Sequence, residues 1–134
     1  MTKVWVDGIV VCIKHSGSQG LAEAKTVSKF VEGLPAEFTK PLFMMLDGRA
    51  MGGLTEEARQ WHATWSRRYS WGGVALFGAS WLYRTVVLLV VRAILLIAKT
   101  PIPIEFFIDE ASARTWLINR GARFDASPLE CGSN

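Results

Sequence analysis

The chain has 134 residues, half of them hydrophobic and six of them tryptophan, and a formal net charge of +3. This length fits one domain with one core. Because the basic residues are spread along the chain, with Arg67 and Arg68 the only adjacent pair, the charge does not favour nucleic-acid binding. Cys12 and Cys131 lie far apart, so the sequence has neither a disulfide framework nor the cysteine spacing of a metal site.

Two runs rich in β-branched residues begin the chain, at 2–6 and 9–15. Asp7-Gly8 between them is typical of a two-residue hairpin turn, so we predict two antiparallel strands. Residues 16–20 are turn-rich and predict a link. Apolar residues then recur at helical spacing and predict a first helix that ends before Gly33.

The middle of the chain predicts a buried strand and a second helix. Residues 42–47 are apolar up to Asp47, as expected of a central strand covered on both faces. The glycine-rich residues 48–53 predict a flexible connection. Thr55 and the two glutamates after it favour a helix start, because oxygen atoms there accept from unpaired N–H groups. The apolar stripe that follows predicts a tryptophan-rich helix at 54–69.

The run 80–98 carries more hydrocarbon than one sheet face can cover. Short apolar stretches at 73–78 and 104–108 flank it, so the three segments predict a strand, a crossover helix and a parallel strand. On a helical wheel Arg84 and Arg92 fall in one narrow polar stripe, and aliphatic side chains occupy nearly all the rest. We therefore expect the outer face of this helix to be covered by a second subunit, another protein or lipid.

The same run could be interpreted as a membrane span, because at about 1.5 Å per residue it approaches the thickness of a bilayer's hydrocarbon core. Arg92 would then lie inside the bilayer at a cost of about 2.5 to 3.5 kcal/mol. Strands on both sides also favour a sheet protein. Residues 1–15 lack the features of a signal peptide, so we expect a cytoplasmic protein, with peripheral membrane contact as an alternative.

Asp109 is placed to cap a last helix that ends at Gly121. Residues 125–134 predict a flexible tail. The chain is therefore predicted to be a single α/β domain over residues 1–124, in the order ββαβαβαβα, with a mixed five-stranded sheet and about four helices.

This order, together with the Asp7-Gly8 hairpin and the segments 42–47, 74–78 and 106–117, resembles the SpoIIAA-like branch of the STAS family (STAS/SEC14-type small bacterial proteins). The resemblance covers nearly the whole domain and depends on the order and spacing of the motifs. It implies a non-catalytic regulatory module that acts through protein–protein association, as anti-sigma factor antagonists do. Some relatives bind small or lipid-like ligands.

The antagonists carry a phosphorylatable serine in the loop after the third strand. The matching residues 47–55 contain no serine, and Thr55 is the hydroxyl residue of this stretch. The resemblance therefore leaves Thr55 as the candidate phosphorylation site and puts the usual switch in doubt.

Motifs for catalysis are missing from the sequence. It has no nucleophile elbow, Walker loop or dinucleotide fingerprint. Neither His15 nor His62 has a partner at metal-ligand spacing, so both are expected in packing or surface roles. We predict a protein that is not an enzyme and has no cofactor or metal site.

Ligands of open sheets tend to lie beyond the carboxyl ends of parallel strands. If the third and fourth predicted strands are neighbours, Asp47, Arg49, Ser80 and Arg84 converge there as a ligand-binding site. The alternative is structural: Asp47 bonds loop N–H groups, Arg49 is solvated and Ser80 caps the next helix.

The leading functional hypothesis is association with a protein partner or a second copy of the chain through the helix at 80–98. The alternative is binding of an apolar molecule or lipid, or of a membrane surface, by this helix and the helix at 54–69. The tryptophans of both helices are interpreted either as core or as the lining of a pocket. Leu88, Val91 and Leu95 flank Arg84 and Arg92 on the wheel. The expected interface consists of Trp81, Leu88, Val91, Arg92 and Leu95.

Overall fold

The computed structural model describes residues 1–80, 84–85, 88–89, 91–92, 96 and 102–125. Its main sheet has five strands in the order β1-β2-β4-β6-β7. The first pair is antiparallel and the other neighbours are parallel. The predicted mixed five-stranded sheet is thus confirmed. The strands are β1 (Thr2–Asp7), β2 (Val10–His15), β4 (Leu42–Asp47), β6 (Trp71–Phe77) and β7 (Ile104–Phe107).

The hairpin between β1 and β2 turns at Gly8, whose φ of 62° lies in the left-handed region. A Cβ atom at this position would also lie 2.1 Å from the carbonyl oxygen of Arg123. Glycine is therefore required both by the turn and by the close approach of the chain's C-terminal part.

A second sheet lies where the sequence predicted a link and a flexible connection. Strands β3 (Gly17–Gln19) and β5 (Met51–Leu54) pair in parallel, so the two predictions were wrong. A Cβ atom on Gly52 would lie 2.7 Å from the carbonyl carbon of Gly17. Gly52, which belongs to the predicted flexible connection, instead allows two backbones to approach closely.

Three α-helices have defined bounds: α1 (Leu21–Glu32), α2 (Glu56–Ser66) and α3 (Glu110–Asn119). A short 3₁₀ helix spans Ala36–Phe38. As predicted, the last two α-helices begin at side-chain caps: the Thr55 hydroxyl accepts from Ala58 N at 3.2 Å, and the Asp109 carboxylate accepts from Ser112 N at 2.8 Å.

The helix predicted at 80–98 is only partly described. Its described members from residue 84 to residue 96 have helical backbone, namely residues 84–85, 88–89, 91–92 and 96. No helix within the described residues has both the length and the apolar character needed to cross a membrane. The predicted tail lies outside the described residues from residue 126 onward.

The main sheet is covered on both faces, and successive residues of each strand point to opposite sides. One face packs on α3 around Phe43, Met45 and Phe77. The other packs on α1 and α2 around Met44 and Trp65. We call the second face the α1/α2 face.

Arg114 of α3 is 4% exposed and joins distant parts of the chain. Its Nη2 donates to Asp7 Oδ2 at 2.9 Å, and its Nε donates to Glu110 Oε2 at 2.9 Å. Asp7 Oδ1 also accepts from Asp125 N at 2.8 Å. The sequence pattern predicts Asp7 only as a turn residue, whereas its carboxylate connects the hairpin to α3.

Candidate ligand-binding site

Asp47 and Arg49 form a hydrogen-bonded ion pair at the carboxyl end of β4. Asp47 Oδ1 accepts from the backbone N and the Nε of Arg49 at 3.0 and 2.9 Å, and Oδ2 accepts from Nη2 at 2.6 Å. Burial raises the pKa of Asp47, but hydrogen bonds and the positive charge of Arg49 outweigh it, so this pKa is below its ordinary value. The pair is ionised at neutral pH.

The predicted meeting of the two strand ends is present. Strands β4 and β6 are parallel neighbours, and Gly48 N donates to Phe77 O at 2.8 Å. Ser80 also lies at this edge, where its carbonyl oxygen accepts from Arg84 N at 2.8 Å.

The two arginines lie over opposite faces of the sheet. Arg49 Cζ is 5.6 Å from the ring centre of Phe77, on the α3 face. Arg84 Cζ is 5.9 Å from the ring centre of Phe106, whose β6 partner in the register is Leu76 and not Phe77. The four residues therefore do not converge on one face as predicted, because the side chains of adjacent residues in a strand point to opposite faces of the sheet.

The residues predicted as an interface have different surroundings. Leu88 is 37% exposed and Arg92 is exposed. Val91 is half-buried and lines a cavity, so the prediction that it lies on the outer surface was wrong. Trp81 and Leu95 lie outside the described residues. Two leucines not predicted for this surface are more exposed than Leu88: Leu89 at 63% and Leu96 at 78%.

Thr55 is exposed, and its hydroxyl oxygen already accepts the Ala58 N–H as the α2 cap. A phosphate at this oxygen would lie at a helix N-terminus, where free N–H groups and the dipole favour an anion. Thr55 stays a predicted phosphorylation site.

An apolar cavity of about 180 Å³ lies on the α1/α2 face of the sheet. The sheet contributes Leu46 and Leu76, the small sheet contributes Gln19, and α2 contributes His62 and Trp65. Val91 lines it from the helical residues after β6. The cavity thus lies between elements that are far apart in sequence.

A chain of hydrogen bonds crosses the cavity wall. Trp65 Nε1 lies 2.9 Å from His62 Nδ1, and His62 Nε2 lies 2.6 Å from Gln19 Oε1. Tryptophan is only a donor, so His62 Nδ1 must accept and the ring proton must be on Nε2. Burial lowers the pKa of His62 to about 4. The imidazole is therefore neutral at pH 7, in one tautomer.

Sequence reasoning found part of this site. Trp65 was a candidate for core or pocket, and it is both: it is 4% exposed and lines the cavity. The role of Gln19 was missed, since it belonged to a predicted link. One signal was available, because His62 and Trp65 are three residues apart and share a helix face.

No protein-family model matches the chain, and neither does any curated protein. Among solved structures, the chain is similar to an uncharacterized protein of the DUF3478 family with a SpoIIAA-like fold, from Shewanella loihica PV-4. The two are 18% identical, with a TM-score of 0.64 over 87% of this chain and 92% of that chain. An identity this low shows the fold alone: the chain has the SpoIIAA-like fold.

Proposed function

We propose that this protein is a binding module for a small apolar molecule held in the cavity on the α1/α2 face. The observation that supports this most directly is the cavity itself, about 180 Å³ in volume. An apolar cavity of about 150 Å³ in another protein binds benzene, so this volume is sufficient for a small aromatic molecule. None of the described lining residues carries a charge at neutral pH. An apolar molecule in the cavity therefore does not remove water from a charged side chain of this lining.

One helical segment has residues both in the cavity lining and on the surface. Val91 lines the cavity, while Leu88 and Leu89 of the same segment are exposed. A bound molecule would therefore contact the inner side of an element whose outer side is apolar. This arrangement fits a regulatory role, in which occupancy of the cavity changes how the outer surface meets a partner.

The test introduces a larger side chain on the helical segment, so that it occupies part of the cavity. Ethylbenzene binding is measured by calorimetry on wild type, Val91→Phe and Leu89→Phe. We expect the wild type to bind and Val91→Phe to bind at least tenfold more weakly, because the larger ring occupies the guest's space. Leu89→Phe is the matched control, since it makes an aromatic substitution on the outer side. A wild type that binds no ethylbenzene, or a Val91→Phe variant that binds like wild type, would refute the proposal.

A second candidate function, association with another copy of the chain, is favoured by the exposure of Leu88, Leu89 and Leu96. Monomeric proteins rarely keep large contiguous apolar patches in water. We expect the wild type to sediment as a dimer and a Leu89→Glu, Leu96→Glu double variant to sediment as a folded monomer.

The control for this variant places the same two charges elsewhere. Thr64 and Thr115 are exposed on α2 and α3, so a Thr64→Glu, Thr115→Glu double variant should sediment like wild type. A monomeric wild type would exclude self-association by this surface.

A further inference from the structure

The hydrogen bonds of the cavity wall leave one amide group unused. Because His62 Nε2 carries the ring proton, it donates to Gln19, and the atom that accepts must be the amide oxygen. The Gln19 Nε2 group then keeps both of its N–H donors. It has no hydrogen-bond partner among the described residues, although Gln19 is only 6% exposed and lines the cavity.

The other polar groups of the described wall have used their donors. Trp65 Nε1 donates to His62, and Trp71 Nε1 donates to Ser66 O at 3.0 Å. The Ser66 hydroxyl donates to Ala63 O at 3.2 Å. Among the described lining side chains, the donors still available are therefore those of Gln19.

Gln19 is held in this position at both ends. Its backbone oxygen accepts from Thr55 N at 3.0 Å, next to the pairing of Gln19 with Leu54. Its side-chain oxygen is fixed by His62, whose ring is oriented by Trp65. The amide donors are thus positioned before any ligand binds, which lowers the entropic cost of using them.

We propose that the molecule bound in the cavity is an uncharged apolar compound with one acceptor oxygen, a ketone, ester or lactone carbonyl, that accepts a hydrogen bond from Gln19 Nε2. This inference depends on the proposed function, because it names the class of ligand for the same cavity. A molecule that fills the cavity excludes water from this amide, so one with an acceptor oxygen is preferred over a hydrocarbon of the same shape.

A carboxylate fits the wall less well. His62 is neutral because burial lowers its pKa, its Nδ1 accepts from Trp65, and the described lining has no lysine or arginine. The nearby Arg84 lies over Phe106 and is not part of the lining. A buried anion would have only a neutral amide as its partner, which does not offset the loss of its hydration.

The experiment compares three probes of similar shape: acetophenone, α-methylstyrene and benzoate. The first two differ only in replacing the carbonyl oxygen by a methylene group. In wild type we expect acetophenone to bind more tightly than benzoate. The ratio of the α-methylstyrene Kd to the acetophenone Kd should fall about tenfold in Gln19→Met, the value of about one hydrogen bond.

Gln60→Met is the matched control, because Gln60 is exposed on α2 and its substitution removes the same amide far from the cavity wall. Its Kd ratio should equal that of wild type. A ratio that is also unchanged in Gln19→Met would overturn the inference while the proposed function stands. If no probe binds wild type, the proposed function itself fails. Benzoate binding as tightly as acetophenone would refute the preference for an uncharged ligand.

An infrared measurement on the wild type needs no variant and distinguishes ligand contact from a structural role. The carbonyl band of bound acetophenone should lie below its frequency in an alkane solvent, because a hydrogen bond to Gln19 Nε2 weakens the C=O bond. A band at the alkane frequency would refute the inference even if Gln19→Met did not fold.

Discussion

Replacing Arg114 by alanine is expected to lower the free energy of unfolding by about 3 to 5 kcal/mol, the usual cost of removing one partner from a buried ion pair. Arg114 and Asp7 are 4% and 5% exposed, and their side chains meet at 2.9 Å. The alanine variant removes the guanidinium that pairs with the buried Asp7 carboxylate. It also removes the guanidinium from the ring of Phe124, whose centre lies 4.4 Å away.

The matched control is Arg68→Ala. Arg68 also meets a carboxylate, at 3.0 Å from Glu32, but the two side chains are 61% and 44% exposed. Exposed pairs of this kind contribute about 0 to 1 kcal/mol. Urea unfolding of both variants, at equal protein concentration, gives the comparison. If Arg114→Ala costs no more than Arg68→Ala, burial does not make the Asp7 pair important for stability.

The parts of the fold that sequence predicted correctly are those specified by neighbouring residues. Asp7-Gly8 marks a turn because the backbone there needs a positive φ. Thr55 and Asp109 mark helix starts because a side-chain oxygen reaches an N–H group three residues later. The apolar run at 42–47 is equally local and predicts a strand covered on both faces, and Met44 and Met45 pack on opposite faces.

The parts that sequence missed depend on residues far apart in the chain. Gly52 is glycine because a Cβ there would lie 2.7 Å from the carbonyl carbon of Gly17, and Gly17 is glycine because its φ is 78°, yet each alone looks like a loop residue. Asp7 and Arg114 are 107 positions apart, so no local pattern could pair them. The cavity is harder still to predict, because its wall combines Gln19, His62 and Val91 from three separate elements.

The two candidate sites, at the strand ends and on the α1/α2 face, differ in how far their polar groups are already hydrogen-bonded. At the strand ends, three hydrogen bonds join Asp47 to Arg49. In the cavity wall, the bonds of Trp65 and His62 leave the Gln19 amide with donors to offer. A sequence rule based on strand ends identifies charged residues, whereas the proposal for the cavity depends on an uncharged amide in an apolar wall.

The second large effect is the loss of folding stability at acidic pH. Burial lowers the pKa of His62 in the native protein to about 4, from an ordinary value of 6.5 that applies when the chain is unfolded. As the pH falls below 6.5, the unfolded state binds a proton that native His62 does not, so acid favours unfolding. Relative to pH 7, this difference should lower the free energy of unfolding of the protein by about 2 kcal/mol at pH 5 and by about 3 kcal/mol near pH 4.

The measurement is the free energy of unfolding at pH 7 and pH 5 for wild type and for His62→Gln, whose amide does not titrate in this range. His15 and all carboxylates are present in both proteins, so their contributions largely cancel in the comparison. Wild type should lose about 2 kcal/mol more than the variant between the two pH values. The result that would contradict this is an equal loss in both, which would mean that His62 accepts a proton in the native state as readily as in the unfolded chain. In that case the Trp65 N–H would no longer have a fixed acceptor on the imidazole, and the tautomer that directs the Gln19 amide toward a ligand would not be maintained.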